Sequence, residues 1–203
     1  MRKENWLELL DKYSLVKKLY LECEETDPEL KTNLQPLNEF RATLDHICRM
    51  LQCELSETPE ENERFSENNR KARGHICRAF FDVCDMLSIN YRNKIIDCLK
   101  PYSHDVIRTA LPDYYPTLKP EIESISARIT SYRAKKGQKD EDELFVAYSA
   151  DVAFLRDTYT KLLKISPSLD ELRFQERKSK ILPWTGWLFA LAALVFAVAQ
   201  YFC

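Results

Sequence analysis

Apolar side chains recur every three to four residues along nearly the whole chain, and only three glycines interrupt 203 residues. That period gathers them on one face of an α-helix, whereas a half-buried strand would alternate every second residue. Trp6, Leu9, Tyr13, Val16, Tyr20 and Cys23 trace the first such face. A second begins near Pro28 and runs through Leu30, Leu34, Leu37, Leu44, Cys48, Leu51 and Leu55, with Arg41 as an interruption and Phe40 covering that turn. Pro36 is an alternative start, because a proline is accommodated in the first turn of a helix and breaks its interior.

Ser56, Thr58 and Pro59, followed by Glu60 and Glu61, form a helix-start signal: hydroxyl caps, a proline in the first turn, and acids at the positive end of the helix dipole. The helix that follows carries Phe65, Ala72, Ile76, Phe80, Val83 and Leu87, and a separate short helix is predicted from about Tyr91 to Leu99. Prolines 101, 112, 116 and 120 then punctuate the chain before a helix through Ile122, Ile125, Ile129 and Tyr132. The run 135–140 reads as a solvated turn. Leu144, Tyr148, Val152, Leu155, Tyr159 and Leu162 form the last stripe of the bundle, and Ser166-Pro167-Ser168 is expected to end it. Five or six amphipathic helices with short connections predict an all-α antiparallel helical bundle, since each stripe needs a helical partner to cover it.

Residues 181–202 carry no charge. As a helix they would be about 33 Å long, close to the ~30 Å hydrocarbon core of a bilayer. The expected organisation is therefore a bundle over 1–165, a basic juxtamembrane linker over 166–180, and a C-terminal transmembrane anchor over 181–203. Arg173, Arg177, Lys178 and Lys180 precede the span and nothing charged follows it, which predicts a single-pass membrane protein with its N-terminal domain cytoplasmic. Trp184, Trp187 and Tyr201 are placed as interface aromatics. Gly186, Ala190, Ala193 and Ala197 form a small-residue stripe for packing between membrane helices, so a lipid bilayer and a homo-oligomer are the expected partners.

Thirty Lys and Arg against thirty-two Asp and Glu leave a net charge of −2, so no global field attracts nucleic acid and any RNA binding needs a local patch. The N-terminus has no apolar signal-peptide core. The seven cysteines show no compact spacing and read as thiols, mostly buried ones.

The segments Arg41-Ala42-Thr43-Leu44-Asp45-His46-Ile47-Cys48-Arg49 and Arg70-Lys71-Ala72-Arg73-Gly74-His75-Ile76-Cys77-Arg78 agree at five of nine positions. Each places a histidine five residues after an arginine, a pairing suited to RNA cleavage without a metal: imidazole transfers the 2′-hydroxyl proton and guanidinium offsets the charge of the phosphorane. Arg41 with His46 is the first candidate pair, and Arg70 with His75 the second. Five helical residues turn about 140°, so arginine and histidine share no face of a straight helix, and a bend in the helix or a second subunit would have to complete the site.

An Arg-x4-His motif within a helical bundle resembles the HEPN superfamily, over roughly residues 5–165. Ala42 departs from the polar residue usual after that arginine. The resemblance implies ribonucleases whose Arg and His meet across a dimer interface. A HEPN-like bundle joined to a membrane segment is similar to the membrane accessory proteins of type VI-B CRISPR systems. That likeness implies antiphage defence by oligomeric assemblies that perturb the membrane, with RNA or an RNA-guided effector as a possible partner.

No cofactor, metal site or small-molecule substrate is indicated. His46 with Cys48, and His75 with Cys77, point about 200° apart on a helix and cannot chelate together. Phosphate loops, nucleophile elbows and dinucleotide fingerprints are absent from the sequence. The first expectation is thus an oligomeric, tail-anchored assembly factor in antiphage defence. A membrane-tethered, metal-independent endoribonuclease and a tail-anchored adaptor or scaffold are the alternatives.

Overall fold

The computed structural model describes residues 2–27, 29, 32–56, 61–134 and 141–202; within 181–202 it describes the side chains of 187, 190–194 and 200. Among the described residues the chain is all-helical: α1 (Arg2–Thr26), α2 (Leu34–Ser56), α3 (Glu61–Leu99), α4 (His104–Ala110), a π-helical turn (Tyr114–Leu118), α5 (Lys119–Ala134) and α6 (Glu141–Phe202). The expected helix start at Pro28, Leu30, the caps at residues 58–60 and the turn at 135–140 lie outside the described residues.

Side-chain contacts fix the helix directions. Tyr13 and Tyr20 of α1 both meet Phe40 near the start of α2, while Arg2 reaches Glu54 near its end, so these two helices are antiparallel. Glu39 with His75, and His46 with Asn68, make α2 antiparallel to α3. Glu8 with Arg73 and Glu22 with Tyr91 make α1 parallel to α3. Arg133 with Asp85 and Arg92 with Ser126 run α5 back along α3, and α6 returns beside α3 through Phe80–Phe145 and Tyr91–Tyr159. The result is an up-down bundle with the 39-residue α3 at its centre.

The first, third, fifth and sixth helices bury the faces that periodicity predicts. Leu9, Val16, Tyr20 and Cys23 are buried on α1, and all six predicted stripe residues of α3 are buried. On α6, Leu144, Tyr148, Val152, Leu155 and Leu162 are buried, with Phe145 stacked on Phe80 at 3.6 Å between ring centroids. Such a helix–helix core draws most of its stability from apolar burial, about 25 cal/mol per Å².

Three expectations are corrected. First, α2 is turned over: Pro36, Phe40, Thr43, Met50 and Cys53 face the core, while the leucine stripe faces outward. The aromatic contacts Tyr13–Phe40 and Tyr20–Phe40 and the fully buried Met50 fill the space beside α1 and α3, and the leucine face lies about 130° away around the helix. Second, α3 does not break before Tyr91, because Leu87, Tyr91, Ile95 and Leu99 continue one buried stripe. Likewise α6 continues through Pro167: Leu162 and Leu169 are fully buried on either side of it, and Asp170 and Glu176 accept hydrogen bonds from Tyr102 (2.7 Å) and Ser103 (3.1 Å) beside α4.

Third, among the described residues no helix is long and apolar enough to cross a membrane. The expected anchor over 181–203, and with it a single-pass membrane location with a cytoplasmic N-terminal domain, is therefore corrected. Residues 181–202 are not a separate span but the end of a 62-residue helix that begins in the bundle core.

Candidate functional site

The antiparallel register of α2 and α3 brings the two echoed segments side by side. His46 and His75 stack with ring centroids 5.4 Å apart and planes 23° from parallel. Both are partly exposed. The contacts around them are crossed: Glu39 of α2 reaches His75 of α3, and Asn68 of α3 reaches His46 of α2. Glu39 precedes His46 by seven residues and Asn68 precedes His75 by seven, so each pair shares one helical face, and the hairpin carries a local two-fold pattern.

Hydrogen bonding sets the state of His46. Asn68 Nδ2 donates to the carbonyl of Arg64 at 2.8 Å, which turns Oδ1 toward the imidazole. That oxygen only accepts, so His46 Nδ1, 2.9 Å away, must be the donor. The Nε2 of neutral His46 is then left with its lone pair, the form a general base requires. His75 Nδ1 lies 2.7 Å from Glu39 Oε2, and Arg78 Nε donates to the same oxygen at 3.1 Å. Arg78 Nη2 sits 2.6 Å from His75 Nδ1. A guanidinium only donates and a carboxylate only accepts, so His75 Nδ1 either accepts from Arg78 or carries a proton toward Glu39, and the tautomer of the ring selects between the two contacts. Glu39 is mostly buried, whereas Arg78 is exposed and sits at the solvent side of the pair. Arg49 and Lys71 stand within one turn of the imidazoles, with Lys71 held by Glu67 at 2.6 Å.

Of the four residues singled out by the Arg-x4-His pattern, the structure joins the two histidines and neither arginine. Arg41 and Arg70 are exposed and lie about 140° around their helices from His46 and His75. The pairing of the two histidines occurs within one chain. Glu39, Asn68 and Arg78 were missed. Arg78 closes the second echoed segment, and the seven-residue offsets of Glu39 and Asn68 were in view; what was hidden was the register that crosses them.

Ala190, Ala193 and Trp187 are exposed on α6, and the side chains of Gly186, Ala197, Trp184 and Tyr201 lie outside the described residues. Among the described residues no group of three or more His, Cys, Asp or Glu is arranged to hold a metal ion. Cys23, Cys53 and Cys84 are buried and Cys48 is exposed. Burial pushes the Cys23 thiol up to about 11, aided by Asp27 and other nearby carboxylates, which leaves it an inert packing group. Comparison with protein-family models, with curated proteins and with solved structures gives no match.

Proposed function

We propose that this chain cleaves RNA without a metal ion, with His46 as general base and His75 as general acid. His46 Nε2 removes the 2′-hydroxyl proton, and the freed oxygen attacks the adjacent phosphorus. The bond from phosphorus to the 5′-oxygen breaks, and His75, whose counter-ion is Glu39, returns a proton to that oxygen. The products are a 2′,3′-cyclic phosphate and a 5′-hydroxyl. Arg78 supplies charge to the phosphorane oxygens. The reading keeps the metal-independent chemistry that the HEPN resemblance implies and moves it from the Arg-His pairs to the two histidines.

The stacking of His46 on His75, each with its Nδ1 held by a side chain of the opposite helix, supports this reading. The test is incubation of the purified full chain, in excess EDTA, with single-stranded RNA and with the same strand carrying 2′-deoxy sugars. RNA should be cut to cyclic-phosphate ends and the deoxy strand left whole. His46→Ala or His75→Ala should each lower the rate about 10²-fold or more. A folded wild-type protein that leaves RNA intact, or cleavage that both variants retain, would end the proposal.

A further inference from the structure

We infer that the outward face of α2 is a dimer seam that packs antiparallel against the same face of a second copy of this chain. Leu34, Leu37, Arg41, Leu44, Cys48, Leu51 and Leu55 follow each other at spacings of three and four, the a and d positions of a heptad repeat. The five leucines are 67%, 38%, 57%, 49% and 85% exposed in chain order, and Arg41 and Cys48 are exposed as well. The stripe spans about 32 Å and shifts by about 20° per heptad, the drift that a left-handed pair of helices absorbs. A helix whose core face is already filled by Phe40, Thr43, Met50 and Cys53 has no intramolecular use for five more leucines.

Charge identifies the occupant and its direction. Arg41 is the one cation inside the stripe, and Asp45, one turn on, lies at its flank. No ion pair among the described residues engages either of them. In a parallel pair Arg41 would face its own copy across the seam, setting like charges together. In an antiparallel pair about a two-fold axis near Ala42 and Thr43, Arg41 of each copy lies beside Leu44 and Asp45 of the other. Its stem packs on leucine, its guanidinium meets the carboxylate, and the symmetry makes the contact twice. The same register sets Leu34 against Leu51 and Leu37 against Cys48. The histidine pair lies on the far side of α2 and stays open, so the seam does not depend on the proposed cleavage chemistry.

Sedimentation equilibrium of the full chain should show a dimer at about 50 μM, within the range of a modest two-helix interface. Leu44→Glu with Leu51→Glu should give a monomer with unchanged far-ultraviolet circular dichroism, since neither leucine serves the core. Arg41→Asp and Asp45→Arg should each weaken association about tenfold or more, and the double exchange Arg41→Asp with Asp45→Arg should restore it to within about threefold. A wild-type monomer at that concentration, a dimer that survives the two glutamates, or a double exchange that stays as weak as the single changes would overturn the seam. Rapid oxidative linking of Cys48 to Cys48 of the second copy, located by peptide mapping, would show a parallel pair and overturn the antiparallel geometry.

Discussion

Arg156 on α6 grips Glu22 on α1 with two charge-assisted hydrogen bonds, 2.6 Å from Nε and 2.5 Å from Nη2, across 134 residues of sequence. Tyr91 on α3 donates to the same carboxylate at 2.6 Å. One acidic side chain thus ties the first, central and last helices together. Glu22→Ala should cost about 2 kcal/mol in urea unfolding, because it strands a partly buried guanidinium and a phenol at once, while the exposed fraction of Arg156 softens the loss. Tyr91→Phe should cost about 1 kcal/mol, and the paired changes should fall short of the sum of the singles.

The tyrosines predict an alkaline limit to stability. Burial, with a hydrogen bond to Glu22, pushes Tyr91 up to about 12, and burial, with a hydrogen bond to Glu24, does the same to Tyr20. Tyr148 is raised further by burial and by its bond to Asp85. An acid whose folded value is raised stabilises the fold while protonated. That contribution is complete below the ordinary phenol value of about 10 and is lost as pH climbs through about 12. Stability to urea should fall steeply in that window, with phenolate absorbance of these residues appearing only as the protein unfolds. Titration of all tyrosines near the ordinary value in folded protein would contradict it.

Two helix-interior positions should accept alanine with a gain. Pro167 is exposed within α6, where its ring removes one backbone hydrogen bond and supplies no packing. Pro167→Ala should stabilise by about 1–3 kcal/mol. Gly74 sits inside α3 next to His75, and an added Cβ meets only the flexible end of Arg78 at 3.5 Å, an ordinary contact. Gly74→Ala should add about 0.5–1 kcal/mol and leave cleavage unchanged, as read by thermal unfolding and the RNA assay.

The crossed supports of the histidines should behave as positioning residues. Asn68→Ala frees the His46 ring to adopt the other tautomer, and Glu39→Gln removes the counter-ion of His75. Each should lower kcat about tenfold or more with little change in KM, since neither side chain is placed to touch RNA. Arg78→Ala should lower kcat through lost phosphorane charge, and Arg78→Lys should recover only part of it, because a point charge does not reproduce the planar fork. Rates are to be measured across pH, where a base and an acid acting together give a bell-shaped profile.

Period alone determined that this chain is helical and which faces of α1, α3, α5 and α6 turn inward, because one apolar stripe on a helix leaves a single way to bury it. It also exposed the echo between residues 41–49 and 70–78. On α2 the local rule ran out: the helix carries two apolar faces, and only packing against Tyr13, Tyr20 and α3 selected Phe40 and Met50 over the leucines. Tertiary structure alone overrode Pro167, where buried leucines on both sides outweigh one missing hydrogen bond, and carried α6 unbroken into the uncharged segment that reads in isolation as a membrane span. It decided the histidine site for the same reason. Which side chains meet across two helices depends on their register, and register is a property of the packed pair that neither helix holds by itself.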